Sequence, residues 1–198
     1  MSVLSSAARR LLGVRLFRMF GRPLGRLPGA KQNSLDLRVL CVPDLLPLCA
    51  DAELNLRPDA VVAAYQRGDL CVAAFDGDRL AGYCWVAFRP LPHLDGVWVR
   101  FEPAVAWAYK SLVRPAYRGR GIAAALYRFL DPECLNRGCS RSVICVERHN
   151  RPSISAALRA GYASDGYGAY LLRSARLLAW SSPRAKERGI AFFLPGGP

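Results

Sequence analysis

The feature that most constrains this chain is one junction between a strand and a helix. Val105 to Val113 (VAWAYKSLV) has the apolar, β-branched and aromatic make-up of a strand. It runs through Arg114-Pro115-Ala116-Tyr117 into Arg118-Gly119-Arg120-Gly121, then into Ile122-Ala123-Ala124-Ala125-Leu126, a helical run opening on small residues. At such a junction the first helical N–H groups have no partner inside the helix. With the positive end of the helix dipole they form an anion site. Gly119 and Gly121 lack the Cβ atoms that would hold a phosphate away from the backbone. Arg118 and Arg120 can add charge-assisted hydrogen bonds, and Ala123 and Ala124 leave room for a bulky group over the helix start. Two commoner phosphate loops do not fit. The chain has no GxxxxGK(S/T), and no GxGxxG followed by an acid about 20 residues later in a βαβ unit.

The rest of the chain alternates in type, which places the junction in a mixed α/β domain. Leu35 to Val42 alternates as a strand, and Pro43 to Leu56 and Pro58 to Gln66 read as helical, each opening with Pro in the first turn. Leu70 to Phe75 and Leu80 to Phe88 form a hairpin across Asp76-Gly77-Asp78, and a short alternating piece follows at Val97 to Phe101. After the junction come a helix to Leu130, stopped by Asp131-Pro132, a strand at Ser142 to Val146, and a helix at Pro152 to Ala160. One or two strands follow between Tyr162 and Trp180. An antiparallel front half followed by a β-α-β-α-β back half is not a doubly wound parallel sheet.

Charge is concentrated at the start. The chain carries +13 overall, and Arg9, Arg10, Arg15, Arg18, Arg22, Arg26 and Lys31 supply seven positive charges before residue 32 with no acid among them. Such a balance points to an anionic partner: nucleic acid, a membrane surface or a phosphorylated cofactor. Helix formers run to about Phe20, and Gly21, Pro23, Gly25, Pro28 and Gly29 then break the pattern. Residues 1–32 are therefore expected as a basic extension, flexible or helical, with residues 1–26 open to peripheral membrane contact. A cleaved leader is the third reading of this stretch. The domain is expected over 33–182, with a tail at 183–198. No helix-turn-helix or zinc pattern supports nucleic-acid binding, so no nucleic acid is expected as a partner. Seven cysteines without a CxxC pair, and only His93 and His149 as histidines, argue against a disulfide framework or a metal site. A reducing, cytoplasmic setting follows, with membrane-peripheral attachment left open by the leader.

The junction resembles a known family. Arg118-Gly119-Arg120-Gly121-Ile122-Ala123 matches the (Q/R)xxGx(G/A) acyl-CoA pyrophosphate loop of the GNAT superfamily of N-acyltransferases. Val113-Arg114-Pro115-Ala116-Tyr117 looks like that family's approach to the loop. Asn150-Arg151-Pro152-Ser153 followed by Ala160-Gly161-Tyr162 resembles its second block. The resemblance implies a single domain with a mixed, mostly antiparallel sheet, helices on both faces, and strands that splay at the cofactor site. It also implies acetyl-CoA, or another acyl-CoA, as co-substrate, with an acyl group passed to a primary amine by direct attack on the thioester. Leu112 and Val113 would meet the pantetheine arm, Arg118, Gly119, Arg120, Gly121, Ile122 and Ala123 the pyrophosphate, and Asn150 and Ser153 the pantetheine or the acceptor.

The resemblance does not extend to every residue. Many members carry a Tyr four residues before the second block's glycine, placed to return a proton to the departing thiolate; here that position is Ala157. The candidate bases are Glu147, His149 and Glu102. Glu147 has an alternative as an ion-pair partner of Arg148 or Arg151, and Asn150 as a helix cap. Strand alternation puts Trp107, Tyr109, Ser111 and Val113 on one face and Lys110 and Leu112 on the other. That first face is expected to pack in the core against a helix or, if it lines the acceptor groove, to suit an aromatic or apolar acceptor. Two other readings stay open: a GNAT-fold module that binds CoA or a partner without turnover, and a longer-chain acyltransferase working at a membrane surface.

Overall fold

A computed structural model describes residues 14–25, 35–173 and 176–195. Among the described residues eleven strands lie in two sheets. β1 (Val14–Pro23), β2 (Asp36–Leu40), β3 (Leu70–Asp76), β4 (Arg79–Ala87), β7 (Val105–Val113), β8 (Arg141–Glu147), β9 (Ala163–Arg173) and β10 (Arg176–Ser181) make the large one. Their spatial order is β10-β9-β1-β8-β7-β4-β3-β2. Every pairing is antiparallel except β7 with β8. A small sheet joins β5 (Leu91–Pro92), β6 (Trp98–Arg100) and β11 (Ala191–Phe193). The expected mixed, mostly antiparallel architecture is the one observed.

Both faces of the large sheet are covered. On one, α3 (Ile122–Phe129) and α5 (Arg151–Arg159) bury Ile122, Leu126 and Ala157 against Val72, Ala74, Val86, Ala106 and Ala108. On the other, α2 (Pro58–Gln66) buries Val61 and Ala64 with Leu45 and Leu54 against Cys71, Ala73, Tyr83 and Trp85. Leu45 belongs to α1 (Val42–Leu45), which with two 3-10 turns replaces the longer helix expected over 43–56. The small sheet covers the remainder of that face, with Leu91, Val99 and Phe192 packed on Phe17, Met19 and Trp107. Asp131-Pro132 does not end the helical region; it opens α4 (Asp131–Asn136), with Pro tolerated in the first turn.

The largest departure from expectation is β1. Residues 14–23 are not a helical extension outside the domain but a strand inside the sheet, antiparallel to β8 on one side and to β9 on the other. Side chains alternate: Phe17 and Met19 enter the small-sheet side of the core, and Phe20 the helical side. Tertiary pairing overrides local helix propensity, because the sheet offers each backbone N–H and C=O a partner and each large side chain a core. The arginines are placed as well. Arg22 is 2% exposed and forks onto Asp131 of α4 at 2.5 and 2.6 Å, and donates to the Tyr127 carbonyl at 2.8 Å. Arg15 bridges Asp95 at 2.7 Å and Glu147 at 3.0 Å. Neither is offered to a lipid surface. The membrane expectation for residues 1–13 and for Arg26 lies outside the described residues. The expected tail is likewise part of the fold: α6 (Pro183–Lys186) and β11 bury Ala185 and Phe192.

Arg22→Ala leaves Asp131 buried without its counter-charge and should cost about 3–5 kcal/mol, whereas Arg22→Met with Asp131→Leu should cost much less. Urea denaturation of the two variants checks this; equal losses would contradict it.

Candidate functional site

The site is created where two strands stop pairing. β7 and β8 run in register from Val105 opposite Arg141 to Ala108 opposite Ile144, and no further. On its other side β7 stays paired with β4, but with a fault: Tyr109 faces Trp85 and Leu112 faces Tyr83, so Lys110 and Ser111 together oppose Cys84. This is a β-bulge. Lys110 takes the extra residue's strain at φ +44°. Gly82 is required just beyond it, since a Cβ there would lie 2.7 Å from the Leu112 carbonyl oxygen. The bulge bends β7 away from β8 and leaves the β8-side backbone groups of residues 109–113 without a strand partner.

One extra residue also reverses the alternation. Tyr109 and Leu112 pack on the α2 side of the sheet, whereas Val113 packs on the α3 side and Ser111 reaches Tyr127 of α3. The expected shared face of Trp107, Tyr109, Ser111 and Val113 is thus corrected.

At the end of β7 the chain is pinned before it turns. Arg114 is buried, donates to the Leu80 carbonyl at 2.6 Å and pairs with Asp51 and Glu53. The Tyr117 hydroxyl donates to Asp76 at 3.1 Å. Gly119 and Gly121 then adopt φ +79° and +75°, a left-handed conformation that favours glycine. Among the described residues, nothing beyond the glycines' own chain neighbours lies within 4 Å of where either Cβ would be. Gly121 occupies the N-cap position of α3 with no side-chain cap, so the first N–H groups of the helix face open space. The turn is thus an open cradle whose unpartnered N–H groups suit an anion.

The cradle opens into a cleft of about 510 Å³. Leu112 and Val113 of β7, Arg118, Gly119, Gly121, Ile122 and Ala123 of the turn and helix start, and Asn150 and Ser153 all line it. Arg120 does not; its guanidinium lies 5.2 Å from the Tyr117 ring centroid. Asn150 caps α5, its side-chain oxygen accepting from the Ser153 N–H at 3.2 Å, so its capping role and its place on the cleft coexist.

A second pocket of about 480 Å³ adjoins the first through the splay, and Ser111, Tyr127, Asn150 and Ser153 line both. Phe17, Leu91, Leu94, Trp107 and Tyr109 give it apolar and aromatic walls, and Glu147 its carboxylate. Of the three candidate bases only Glu147 is here, and it pairs with Arg15 of β1. His149 is exposed on the turn after β8 and lines neither pocket. Glu102 is exposed before the opposite end of β7, where its N–H donates to the Arg188 carbonyl. Val105 to Ser111 alone spans about 20 Å of strand, which removes Glu102 from the site.

Several residues here had no signal in the sequence. Phe17 belongs to the stretch expected outside the domain, and His93 to a Pro-rich segment without a readable pattern. The His93 imidazole lies among Phe17, Tyr170 and Phe192, with centroids 4.8, 6.4 and 5.4 Å away. Its Nε2 is buried with no hydrogen-bond partner. Burial drives its pKa down to about 4, which keeps it neutral at physiological pH. Tyr109 donates to Asp69 at 2.7 Å, and Arg67 reaches the same carboxylate at 2.6 Å. Burial outweighs both partners and raises the Asp69 pKa.

A profile of the acetyltransferase (GNAT) family matches residues 41–162, more than half of the chain. The protein belongs to the GNAT acetyltransferase family. Solved structures agree at the level of fold. A GNAT-family acetyltransferase of Colwellia psychrerythraea superposes with TM-score 0.55 at 17% identity, over 84% of this chain and 56% of that one. A GCN5-related N-acetyltransferase of Sphaerobacter thermophilus gives 0.56 at 18%, over 89% and 56%. A putative acetyltransferase of Salmonella typhimurium, solved with acetyl-CoA, gives 0.51 at 16%, over 82% and 94%. The chain thus spans little more than half of the first two. No curated protein matches the sequence. Among the described residues no helix is long and apolar enough to cross a membrane.

Because the folded-state pKa of His93 lies below the ordinary value of about 6.5, the unfolded chain binds more protons between the two. Its contribution to stability is complete above the ordinary value and is lost as pH falls toward about 4. In denaturation series across that range, His93→Phe should lose less stability than the native protein. Parallel curves would contradict this.

Proposed function

We propose that this GNAT protein is an N-acyltransferase that moves an acetyl group from acetyl-CoA to a primary amine. The observation that carries the reading is the shared wall: a cleft with a pyrophosphate cradle at one end meets a separate pocket, and Ser111, Tyr127, Asn150 and Ser153 line both. A donor on the cradle would run its pantetheine arm along the splayed β7 and present its thioester at the junction. The freed backbone groups of residues 109–113 would hold the arm and stabilise charge on the carbonyl oxygen. The amine would enter from the second pocket, whose apolar and aromatic walls suit an acceptor with an apolar body. In the transfer the amine nitrogen bonds to the acyl carbon, the C–S bond breaks, and the sulfur leaves with the electron pair. The amine's proton goes to Glu147, directly or through water. A second reading, a longer acyl donor, is favoured by the same apolar walls.

Calorimetric titration of acetyl-CoA, CoA and octanoyl-CoA tests the reading. Ala123→Glu is the informative variant. It keeps ordinary helical backbone and suits the first turn of a helix, yet puts a carboxylate where the pyrophosphate would lie. The native protein should bind acetyl-CoA, and the variant at least about tenfold more weakly, or 1.4 kcal/mol. Tighter binding of octanoyl-CoA would favour the longer donor. No binding of any of the three would contradict an acyl-CoA-dependent enzyme.

A further inference from the structure

When the C–S bond breaks, negative charge collects on sulfur, and a group must be ready to meet it. The reacting atoms have to sit between cleft and pocket, so the residues able to touch them are the four that line both. The Asn150 side-chain oxygen is already engaged with the Ser153 N–H as a helix cap. Across from these, Ser111 follows the bulged Lys110 on β7 and is partly exposed, its hydroxyl 2.7 Å from that of Tyr127. Tyr127 is 6% exposed, with its ring edge-on to Tyr162 at 5.7 Å. Burial raises the Tyr127 pKa, so the phenol keeps its proton. A phenol is the stronger acid of the two hydroxyls. Either hydroxyl can donate at this distance, and with Tyr127 O–H as the donor to Ser111 Oγ the Ser111 proton is left for a third atom.

We propose that the Ser111 hydroxyl donates a hydrogen bond to the CoA sulfur as it leaves, with Tyr127 as the residue that positions and polarises it. This rests on the acyl-CoA reading above and deepens it. Sulfur takes the electron pair of the broken C–S bond, Ser111 stabilises the thiolate without giving up its own proton, and solvent protonates the thiolate on release. Such a charge-assisted bond is about twice as strong as a neutral one. It is set in advance by the bulge and by α3, so little reorganisation is needed as the charge forms.

The pH at which bound CoA ionises tests the assignment without an acceptor. CoA is titrated with alkali in the presence of excess protein, thiolate is followed by its ultraviolet absorbance, and a titration of protein alone is subtracted. In the native protein the thiol should ionise about one unit or more below free CoA titrated in the same buffer, about a tenfold gain in thiolate. Ser111→Ala should return it to the ordinary value, Tyr127→Phe should move it part of the way, and Ser111→Thr, which retains a hydroxyl, should keep it low. A depressed value that survives Ser111→Ala overturns the assignment. So does an ordinary value in native protein that binds acetyl-CoA. Acetyl-CoA, whose sulfur cannot ionise, is titrated in parallel. If native protein binds neither it nor CoA, the acyl-CoA reading fails and this inference falls with it, a result distinct from the other two.

Discussion

The divergence of β7 from β8 after four paired residues is the constraint on which the rest of this structure depends. Strands that stay paired offer no opening through a sheet; strands that part leave main-chain donors and acceptors unpaired, at a cost unless something binds them. The bulge at Lys110 and Ser111 produces the parting, and Gly82 permits it by letting β4 follow the bent strand. The same bulge turns Ser111 toward α3 and Leu112 away from it. The helix start, the cradle and the second pocket all take their positions from this one irregularity.

A parting on one side of β8 needs a firm neighbour on the other. β1 supplies it, pairing with β8 from Phe17 opposite Glu147 to Pro23 opposite Arg141. Without β1 the facing edges of β8 and β9 would be open to unwanted pairing. β1 also carries chemistry to the site: Phe17 forms a wall of the second pocket, and Arg15 holds Glu147 at its edge. At its far end Arg22 ties the strand to α4 through Asp131. The basic residues that suggest an external anion are in part internal fastenings, so net charge alone says little about partners here.

How much of this was legible in the sequence follows from the range of the forces involved. The cradle is local: strand, turn, two glycines and a small-residue helix start are contiguous, and Gly119 and Gly121 take the left-handed conformation their identity allows. The sheet-forming segments from Leu70 to Val113 are local too, since buried strands announce themselves by composition. β1 was not legible, because its arginines break the apolar pattern and their partners lie far along the chain, Asp131 for Arg22 and Asp95 for Arg15. Strand alternation failed at Lys110 for a related reason. A bulge is set by the partner strand, and the sequence of β7 by itself reads as an unbroken period of two.

Under the proposed acyl-CoA reading, the splay and the helix start together would form the donor site. Amide hydrogen exchange with and without acetyl-CoA tests it most directly, because it reports which backbone N–H groups gain protection. Slowed exchange should concentrate at residues 109–113 of β7 and at Ile122 to Ala124, with the far strands β2 and β10 unchanged. Protection confined to other segments, with those two runs exchanging as in the free protein, would contradict it.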